Sequence, residues 1–351
     1  MGFRMVLATS ASVTALGLTG ALLPTAPSAS AATAPTVSDV RFGSFNLSSV
    51  SFDNAAAGDH RPWLKRRPVV VSQILGQKLD VLGVQEANQS KIYTRSVNLG
   101  INQYTDLRNA LNVAGGHYAL TNEHAYNCVK PASTYKCVYR NQGASQDNRI
   151  LYNTATVTML SQGSVKYRTQ TAGKNARYFE WAKFKVKATG KRFFFSNTHL
   201  DPYSAATRRG EWDEVIANTN RLHGSLPVIS VGDYNTSKFA GYAARYLPKM
   251  KRAGYGDVLN QQYAQAVVKR PRAERVTRGW INSYNAFRRD VRHYSYASAR
   301  HKVGNGIDWI FATNSLRVKE WSVVTNVDLT TLRVQGVLPS DHNLVRATLV
   351  L

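Results

Sequence analysis

The chain has 351 residues, 43% of them hydrophobic, and carries 45 Lys and Arg against 21 Asp and Glu, for a formal net charge of +24. After residue 31 it contains no internal repeat, no Pro/Gly/Ser-rich linker and no apolar run long enough to span a bilayer, which excludes a repeat protein and favours one large folded domain. The positive charge favours polyanionic partners such as nucleic acid, acidic cell-wall polymers or anionic lipid, without choosing among them.

The first 31 residues have the order of a bacterial secretory signal. Arg4 precedes an apolar and small-residue stretch from Met5 to Leu23, and Ala29-Ser30-Ala31 offers a cleavage site. Polar residues interrupt the stretch, which makes it a poor membrane-spanning helix. We expect residues 1–31 to be a secretory signal peptide, 32–39 a short N-terminal segment and 40–351 one domain of a secreted, extracellular protein.

Short β-rich runs alternate with helical patterns along the rest of the chain, which predicts an α/β layered domain. The first strand is expected at Val40–Asn46. Pro68 then opens a helix to about Gly76, since Pro is tolerated in the first turn of a helix. The next strand is expected at Val81–Gln85, with Glu86 directly after it.

Cys128 and Cys137 are the two cysteines of the chain. In an exported protein this spacing predicts a disulfide bond that closes a surface loop. A zinc site would need further Cys or His residues at ligand spacing.

The second half of the chain continues the alternation. Consecutive strands with short turns between them predict antiparallel pairing. A helix is expected at Ser204–His223, followed by a mostly apolar strand. The predicted strands are Arg149–Asn153, Ala155–Leu160, Tyr178–Val186, Arg192–His199, Val228–Val231, Ile307–Ala312 and Val345–Leu351.

Most of six polar blocks lie at or beside the ends of these strands, where side chains from distant segments can converge. Each block alone is a weak signal, because acids and amides after strands are usually turn residues and a lone His usually packs or hydrogen-bonds. The blocks are Ser44-Phe45-Asn46-Leu47, Val84-Gln85-Glu86, Asn197-Thr198-His199-Leu200, Gly232-Asp233-Tyr234-Asn235, Gly306-Ile307-Asp308-Trp309 and Ser340-Asp341-His342-Asn343.

In this order and spacing the six blocks resemble the endonuclease/exonuclease/phosphatase superfamily, from about Val40 to the C-terminus. The resemblance implies a four-layered α/β sandwich, with two packed, mainly antiparallel β-sheets flanked by helices, and makes residues 40–351 a catalytic domain. It implies a metal-dependent phosphoric ester hydrolase. The fourth block departs from the family pattern in carrying Tyr234 where Phe is common.

Hydrolysis of a phosphodiester requires neutralisation of charge on the phosphate oxygens and an activated water. Hard oxygen ligands suit Mg²⁺ or Mn²⁺, so Glu86 is our first choice of metal ligand, with Asn46 and Asp341 completing or supporting the site. The family resemblance implies the same assignment.

The resemblance also implies the catalytic residues. His342 is expected to act as general base with Asp308 orienting its imidazole. His199 is expected to donate to a phosphate oxygen or to act as general acid, and the roles of the two histidines stay open. Asp233 and Asn235 are expected to contact the phosphate and the attacking water or the leaving group.

Three further residues are assigned from weaker signals. Arg149 is the candidate for a phosphate clamp, and Glu123 is the candidate partner of the earlier histidine. Asp201, directly before Pro202, favours a turn or helix-capping role over a catalytic one.

The basic segment, Arg245–Lys302, carries 14 Lys and Arg against three acids and has aromatic residues interleaved. Such a surface suits a phosphate backbone, with rings that can stack on unpaired bases. The alternative is a solvated face over core aromatics. We expect DNA or RNA as the substrate, with Lys251, Arg252, Arg288 and Arg289 as substrate-binding residues.

Other functions remain as alternatives. A phospholipid phosphodiesterase similar to sphingomyelinases would need an exposed apolar hairpin, which the sequence does not predict. An inositol-phosphate phosphatase would not need so extended a basic surface, and a non-catalytic cationic polyanion binder would not need all six blocks. We expect a monomer with no protein partner and no stable membrane insertion.

Overall fold

The computed structural model describes residues 39–53, 58–89, 91–93, 98–121, 147–238, 241, 243–259, 272–294 and 306–351. The predicted signal peptide, the Cys128 and Cys137 pair, Glu123 and parts of the basic segment lie outside these residues. Within the described ranges, no helix combines the length and the apolar character needed to cross a bilayer.

The described residues form five α-helices and seventeen strands, with a 3₁₀ turn at Val50–Phe52. The helices are α1 Trp63–Gly76, α2 Gln103–Val113, α3 Ala205–Leu222, α4 Ala243–Arg252 and α5 Val291–Tyr294. The strands are β1 Asp39–Asn46, β2 Val81–Gln85, β3 Lys91–Tyr93, β4 Asn98–Asn102, β5 Tyr118–Leu120, β6 Arg149–Asn153, β7 Val157–Lys166, β8 Tyr178–Val186, β9 Arg192–His199, β10 Val228–Asp233, β11 Tyr255–Asp257, β12 Arg275–Thr277, β13 Asp308–Thr313, β14 Arg317–Val324, β15 Val327–Asp328, β16 Arg333–Val334 and β17 Leu344–Val350.

Two large mixed sheets form the centre of the domain. One has seven strands in the order β12-β14-β17-β1-β2-β6-β5, and the other has six in the order β11-β13-β10-β9-β8-β7. Most neighbouring strands are antiparallel, while β1 with β2, β9 with β10 and β12 with β14 are parallel. This confirms the predicted fold class of two packed, mainly antiparallel sheets with helices.

Apolar side chains separate the layers. One core lies between the sheets and includes Phe42 of β1 and Phe195 of β9, whose rings stack at 5.9 Å. A second core lies where α1 and α2 cover the seven-stranded sheet, with Ile74 and Leu107 beside Leu82. Both sheets are therefore buried on their facing sides, which fixes their strand registers because a one-residue slip would expose apolar side chains.

The strand directions bring the polar blocks to one end of both sheets. Parallel β9 and β10 end side by side, with His199 opposite Asp233, and antiparallel β13 begins there with Asp308 opposite Asp233. On the other sheet, β1 ends at Asn46 next to the end of β2. Segments far apart in sequence therefore deliver their polar residues to a common edge.

Gly83 lets the two sheets approach each other beneath this edge. A Cβ at this position would lie 2.5 Å from Val231 Cγ2 and 2.7 Å from Asn197 Oδ1, closer than side chains tolerate. Asn197 instead accepts a hydrogen bond from Gln85 Nε2 at 2.7 Å across the same gap. A side chain at residue 83 would push the sheets apart where the site is assembled.

The local sequence signals located the start of one helix well and the start of another poorly. The helix predicted at Ser204–His223 is α3, and Ser204 caps it, since its side chain accepts from the Thr207 amide. The start predicted for the first helix is wrong by five residues, because α1 begins at Trp63 and contains Pro68 in its interior. Pro68 is exposed, so the carbonyl left without an amide partner can be hydrated, and Asp53 Oδ2 accepts from the Trp63 amide at the true start.

Glu180 is a buried acid on β8 that lies opposite Asn197 of β9. Among the described residues, neither of its side-chain oxygens has a hydrogen-bond partner of ordinary geometry. Burial raises the pKa of Glu180 to about 8, and the positive charge of Arg149 and the nearby Asn197 side chain offset part of this effect. Because the folded-state pKa lies above the ordinary 4.5, the stability that Glu180 contributes is complete below about pH 4.5 and is lost as the pH rises to about 8.

We expect Glu180→Gln to leave the melting temperature nearly unchanged at pH 5 and to stabilise the fold by roughly 2 to 5 kcal/mol at pH 8.5. Thermal or denaturant unfolding at the two pH values measures the difference. Glu274→Gln, at an exposed acid, is the matched control and should show no such pH dependence. Equal destabilisation by Glu180→Gln at both pH values would mean that ionised Glu180 is needed as a partner of Arg149.

Candidate active site

A cavity of about 750 Å³ opens at the edge where the polar blocks meet. Six of the eight residues predicted as catalytic or metal-binding line it, and the other two, Asn46 and Asp308, lie directly behind them. The six are Glu86, His199, Asp233, Asn235, Asp341 and His342. The structure therefore brings all six blocks to one place.

Asp233 lies at the centre of the site. Its Oδ2 accepts a hydrogen bond from Asn46 Nδ2 at 3.1 Å and lies 3.5 Å from His199 Nε2 and 3.7 Å from His342 Nε2. Its Oδ1 accepts from the backbone amide of Asn235 at 2.8 Å. Burial raises the pKa of Asp233 to about 7, a value suited to accepting a proton near neutral pH.

Asp308 and His342 form a buried pair, with 2.8 Å between Oδ2 and Nδ1. The ring of Tyr284 packs edge-on against the imidazole, and Ser283 Oγ accepts from the amide of Asp308. Burial alone lowers the pKa of His342, but the charges of Asp308 and Asp233 reverse this effect and raise it to about 10. The imidazole is therefore protonated at neutral pH, which favours a proton-donating role over the predicted role as general base.

His199 has the opposite electrostatic environment. Burial lowers its pKa well below the ordinary value, and the charges of Arg177 and His342 lower it further. His199 is therefore neutral at pH 7. Asp233 Oδ2 therefore lies near one cationic and one neutral imidazole, and this difference in charge suits the two histidines to different roles.

Glu86 and Asp341 are two further carboxylates that line the cavity, together with Asp147. Burial raises the pKa of Glu86, and the negative charge of Asp341 raises it further. Two acids held in mutual repulsion are an oxygen donor set that a hard divalent cation would neutralise. The residues present therefore fit the predicted Mg²⁺ or Mn²⁺ site.

Asn46 contributes in a way that differs from direct ligation. Its Oδ1 accepts from the Ser48 amide at 3.0 Å, which fixes the orientation of the side-chain amide. Nδ2 donates to Glu86 Oε1 and to Asp233 Oδ2, each at 3.1 Å. In this geometry Asn46 holds two carboxylates in position, which corresponds to the supporting role that the sequence left open beside direct ligation.

A second group of possible ligand atoms belongs to Asp233, Asp308 and His342, and these atoms lie within 4.8 Å of one another. The close contact between His342 Nδ1 and Asp308 Oδ2 already pairs two of them. A hard cation prefers oxygen ligands, so Glu86 and Asp341 remain the better cation site.

Two site residues adopt the left-handed backbone conformation, Glu86 with φ 53° and Asn235 with φ 45°. Asn tolerates this region, but Glu adopts it at a cost of order 1 kcal/mol or more. The Ser49 amide donates to Glu86 Oε2 at 3.2 Å and helps to hold the strained residue. The backbone strain at Glu86 is consistent with a functional position.

Arg66 of α1 connects the segments next to two of the blocks through hydrogen bonds to their backbone. Its guanidinium is fully buried and donates to the carbonyl oxygens of Leu47, Ser48 and Pro339. These carbonyls belong to the turns after Asn46 and before Ser340. Arg66 had no signal in the sequence beyond a helical pattern, since nothing there distinguishes a buried arginine from a solvated one.

Four of the five predicted substrate-binding residues lie away from the cavity or are engaged elsewhere. Arg149 is fully buried, with its guanidinium 4.0 Å from the Tyr104 ring centroid, and so does not form a phosphate clamp in this structure. Arg289 pairs with Asp59 at 2.9 Å and donates to the carbonyls of Val334 and Gly336.

Lys251 and Arg252 end α4 next to Asn314, which donates to the Lys251 carbonyl. Asn314 follows the end of β13 opposite Asp308, about 20 Å from the site at the usual rise per residue. Arg288 alone is exposed near the site, three residues after Asn285, whose amide donates to the Asp341 carbonyl.

Three of the cavity residues that the sequence analysis missed are Arg177, Phe52 and Tyr203. Arg177 lines the cavity, and its buried Nε has no hydrogen-bond partner among the described residues. Phe52 and Tyr203 also line it, with 52% and 65% of their surfaces exposed. Tyr203 follows His199 by four residues, so its position shortly after a site block could have identified it. Nothing in the sequence around Arg177, at the start of a strand, could have identified it as a site residue.

The comparisons with known proteins agree with this geometry. A family model described as the Endonuclease/Exonuclease/phosphatase family matches residues 43–342. An endonuclease/exonuclease/phosphatase family protein from Bacteroides thetaiotaomicron has a similar structure, with a TM-score of 0.63 and 20% identity over 90% of this chain and 98% of that chain. No curated protein sequence matches the chain.

Two other structurally similar proteins act on different phosphate esters or are bound to nucleic acid. A mannosyl-6-phosphatase from B. thetaiotaomicron has a TM-score of 0.61 and 20% identity over 89% of this chain and 100% of that chain. D. rerio TDP2, complexed with a single-strand DNA product, has a TM-score of 0.51 and 13% identity over 89% and 99%. At these identities the likeness shows the fold alone and leaves the substrate open.

Proposed function

Since the chain belongs to the endonuclease/exonuclease/phosphatase family, a family of phosphoric ester hydrolases, we propose that it is a secreted, Mg²⁺- or Mn²⁺-dependent phosphodiesterase that cleaves nucleic acid. The observation that carries the reaction class is the shared cavity. It joins the carboxylates of Glu86 and Asp341 to the group formed by His199, Asp233 and the Asp308–His342 pair.

Two groups of residues in the cavity would have different roles in the reaction. Glu86 and Asp341 would hold the cation, which would polarise the phosphate and offset its charge. Asn46 would keep Glu86 and Asp233 in position through its two hydrogen bonds. This first group of residues would bind and orient the phosphate without itself transferring a proton.

The second group of residues, around Asp233, would transfer protons. Asp233, with a pKa near 7, is placed to accept the proton of the attacking water, and Asn235 beside it would orient that water or the phosphate. His342 is held protonated by Asp308 and would donate to the phosphate or the leaving oxygen. Neutral His199 would donate a hydrogen bond to a phosphate oxygen without adding a charge.

Nucleic acid is favoured by charge. The net charge of +24 attracts polyanions, and the exposed Arg288 and the cavity-lining Arg177 place positive charge near the site. Lys251 and Arg252 lie at the far end of the sheet and do not support this surface. Export through the proposed signal peptide would place the enzyme outside the cell, where polymeric nucleic acid would be its target.

The test is cleavage by the purified chain of plasmid DNA, RNA, sphingomyelin liposomes, mannose 6-phosphate and inositol phosphates, each with Mg²⁺, with Mn²⁺ and with EDTA. We expect cation-dependent cleavage of DNA or RNA that falls steeply with added salt, because counterion release contributes to binding of a polyanion. Preferential turnover of a lipid or a small phosphate ester, with a flat salt response, would reject the nuclease and retain the hydrolase. Absence of turnover on every substrate would reject both.

A further inference from the structure

Two exposed aromatic rings border the cavity beside the catalytic residues. Five large hydrophobic side chains are exposed among the described residues, and the two aromatic ones, Phe52 and Tyr203, both line this cavity. Single exposed hydrophobic side chains are common on protein surfaces, whereas exposed apolar groups gathered at one cavity mark a binding site. Their restriction to the cavity points to a ligand with a planar or apolar surface.

Each ring is attached to a different side of the site. Phe52 ends the 3₁₀ turn that begins after Ser49, and the Ser49 amide donates to Glu86 Oε2. Tyr203 follows His199 by four residues, in the turn before α3. One ring is therefore anchored beside the proposed cation site and the other beside a catalytic histidine.

The turn that carries Tyr203 is held in place by hydrogen bonds. Asp201, almost fully buried, accepts from the amides of Tyr203 and Ser204 at 2.8 and 2.6 Å. The Glu211 carboxylate accepts from the Asp201 amide, and Arg208 donates to the Asp201 carbonyl. The exposure of Tyr203 is therefore imposed by a fixed backbone, and its ring is presented to the cavity without a large entropic cost on binding.

Positive charge accompanies the Tyr203 ring. The ammonium group of Lys174 lies 4.4 Å from the ring centroid, and Arg177, three residues later, presents a buried Nε without a hydrogen-bond partner among the described residues. A ring with one cation over one of its faces and a second cation in the same cavity lining matches a nucleotide, whose base can stack on the other aromatic face while its phosphate meets guanidinium and ammonium groups.

We propose that the enzyme acts on single-stranded nucleic acid, in which an unpaired base next to the cleaved phosphate stacks on Tyr203, and a second base on the other side of that phosphate contacts Phe52. In a duplex the base faces are covered by neighbouring bases, and stacking on these rings would require unpairing of the target nucleotide. The inference rests on the proposed nuclease activity and adds the strand state that it reads.

The experiment compares four oligonucleotide substrates of one length with a labelled end: a single strand, the matched duplex, a single strand in which stable abasic units replace the nucleotides on both sides of the cleaved position, and the abasic strand paired with its complement. We expect kcat/KM on the intact single strand to exceed that on the duplex and on the abasic strand by at least about 10-fold. Equal rates on the single strand and the duplex would overturn the inference while leaving the nuclease proposal intact.

Substitutions at Tyr203 and Phe52 test whether their rings cause the preference for the intact single strand. Tyr203→Ala should lower kcat/KM on the intact single strand by about 10-fold, mainly through KM, and change the rate on the abasic strand by less than about twofold, because no base remains to stack. Tyr203→Phe should retain most activity, since it keeps the ring. Phe52→Ala should act in the same direction. Leu329→Ala, at a side chain that is 68% exposed and outside the cavity lining, is the matched control.

Two other outcomes also decide the matter. An equal loss on intact and abasic strands with Tyr203→Ala would show that the ring supports the site in some other way and would overturn the inference. Absence of cleavage of all four substrates by the unaltered enzyme would reject the nuclease proposal itself, which separates the two failures.

Discussion

Replacement of His342 with Ala is expected to lower kcat for phosphodiester cleavage by about 10²- to 10⁴-fold while leaving nucleic-acid binding largely intact. His342 is the one imidazole in the site that Asp308 and Asp233 hold in the protonated form, so its removal takes away both a positive charge and a proton donor. Single-turnover cleavage combined with a binding assay measures the two effects separately.

Asp308→Asn provides a sharper form of the same test. The Asn side chain keeps the shape but not the charge, so the pKa of His342 should fall and the high-pH limit of the kcat profile should move to lower pH. His223→Ala, at a histidine near the end of α3 that contacts the Leu226 carbonyl, is the control and should retain normal activity. Unchanged kcat in His342→Ala would remove this residue from the chemistry.

Glu86→Gln is expected to raise the concentration of Mg²⁺ or Mn²⁺ needed for half-maximal activity by 10-fold or more, because it removes one of the two carboxylates that face the proposed cation position. The same substitution should raise the melting temperature of the cation-free protein. The reason is that Glu86 is buried and repelled by Asp341, so its ionised form is destabilising as the pH rises above its ordinary pKa.

Binding of the cation can also be measured without turnover, through the melting temperature. Added Mn²⁺ should raise the melting temperature of the unaltered protein and should have a much smaller effect on Glu86→Gln and on Asp341→Asn. Glu274→Gln, at a surface acid paired with Arg317, serves as the control. If Mn²⁺ stabilised the Glu86→Gln variant as strongly as the unaltered protein, Glu86 would not be a ligand, and the group of Asp233, Asp308 and His342 would become the better candidate.

The location of the site could be predicted from the sequence because it depends on strand ends. Asn46, Glu86, His199 and Asp233 each end or follow a strand, and apolar runs locate strands well. The mixed sheet directions then force these ends together. The fold class followed from the order of the blocks, which the family shares, and the family match over residues 43–342 confirmed it.

The roles of individual residues could not be predicted as well, because they depend on burial and orientation. Arg149 and Arg66 are both fully buried arginines, but the sequence presents them like any solvated cation. The orientation of the Asn46 amide follows from a single contact with the Ser48 backbone. Arg177 acts at the site because β8 begins beside it, which is a property of the sheet and not of the local sequence.

The basic segment shows the limit of reasoning from charge counts. Lys251 and Arg252 are close in sequence to residues that enter the site, but the full length of β13 separates them from it. Net charge along a chain carries no information about which end of a sheet receives it. In this protein the charge count favours a polyanionic partner but does not indicate which surface would contact it.

The position of Arg66 has a consequence for the timing of folding. Its guanidinium links the Leu47 and Ser48 carbonyls to that of Pro339, and β1 pairs directly with β17, so residues from the beginning and the end of the domain meet at the site. Pro339 and β17 are synthesised long after Leu47, Ser48 and β1, and contacts of such large sequence separation form late in folding. A partly synthesised chain would therefore lack the assembled site, so the activity proposed for it would appear only after β17 has paired with β1.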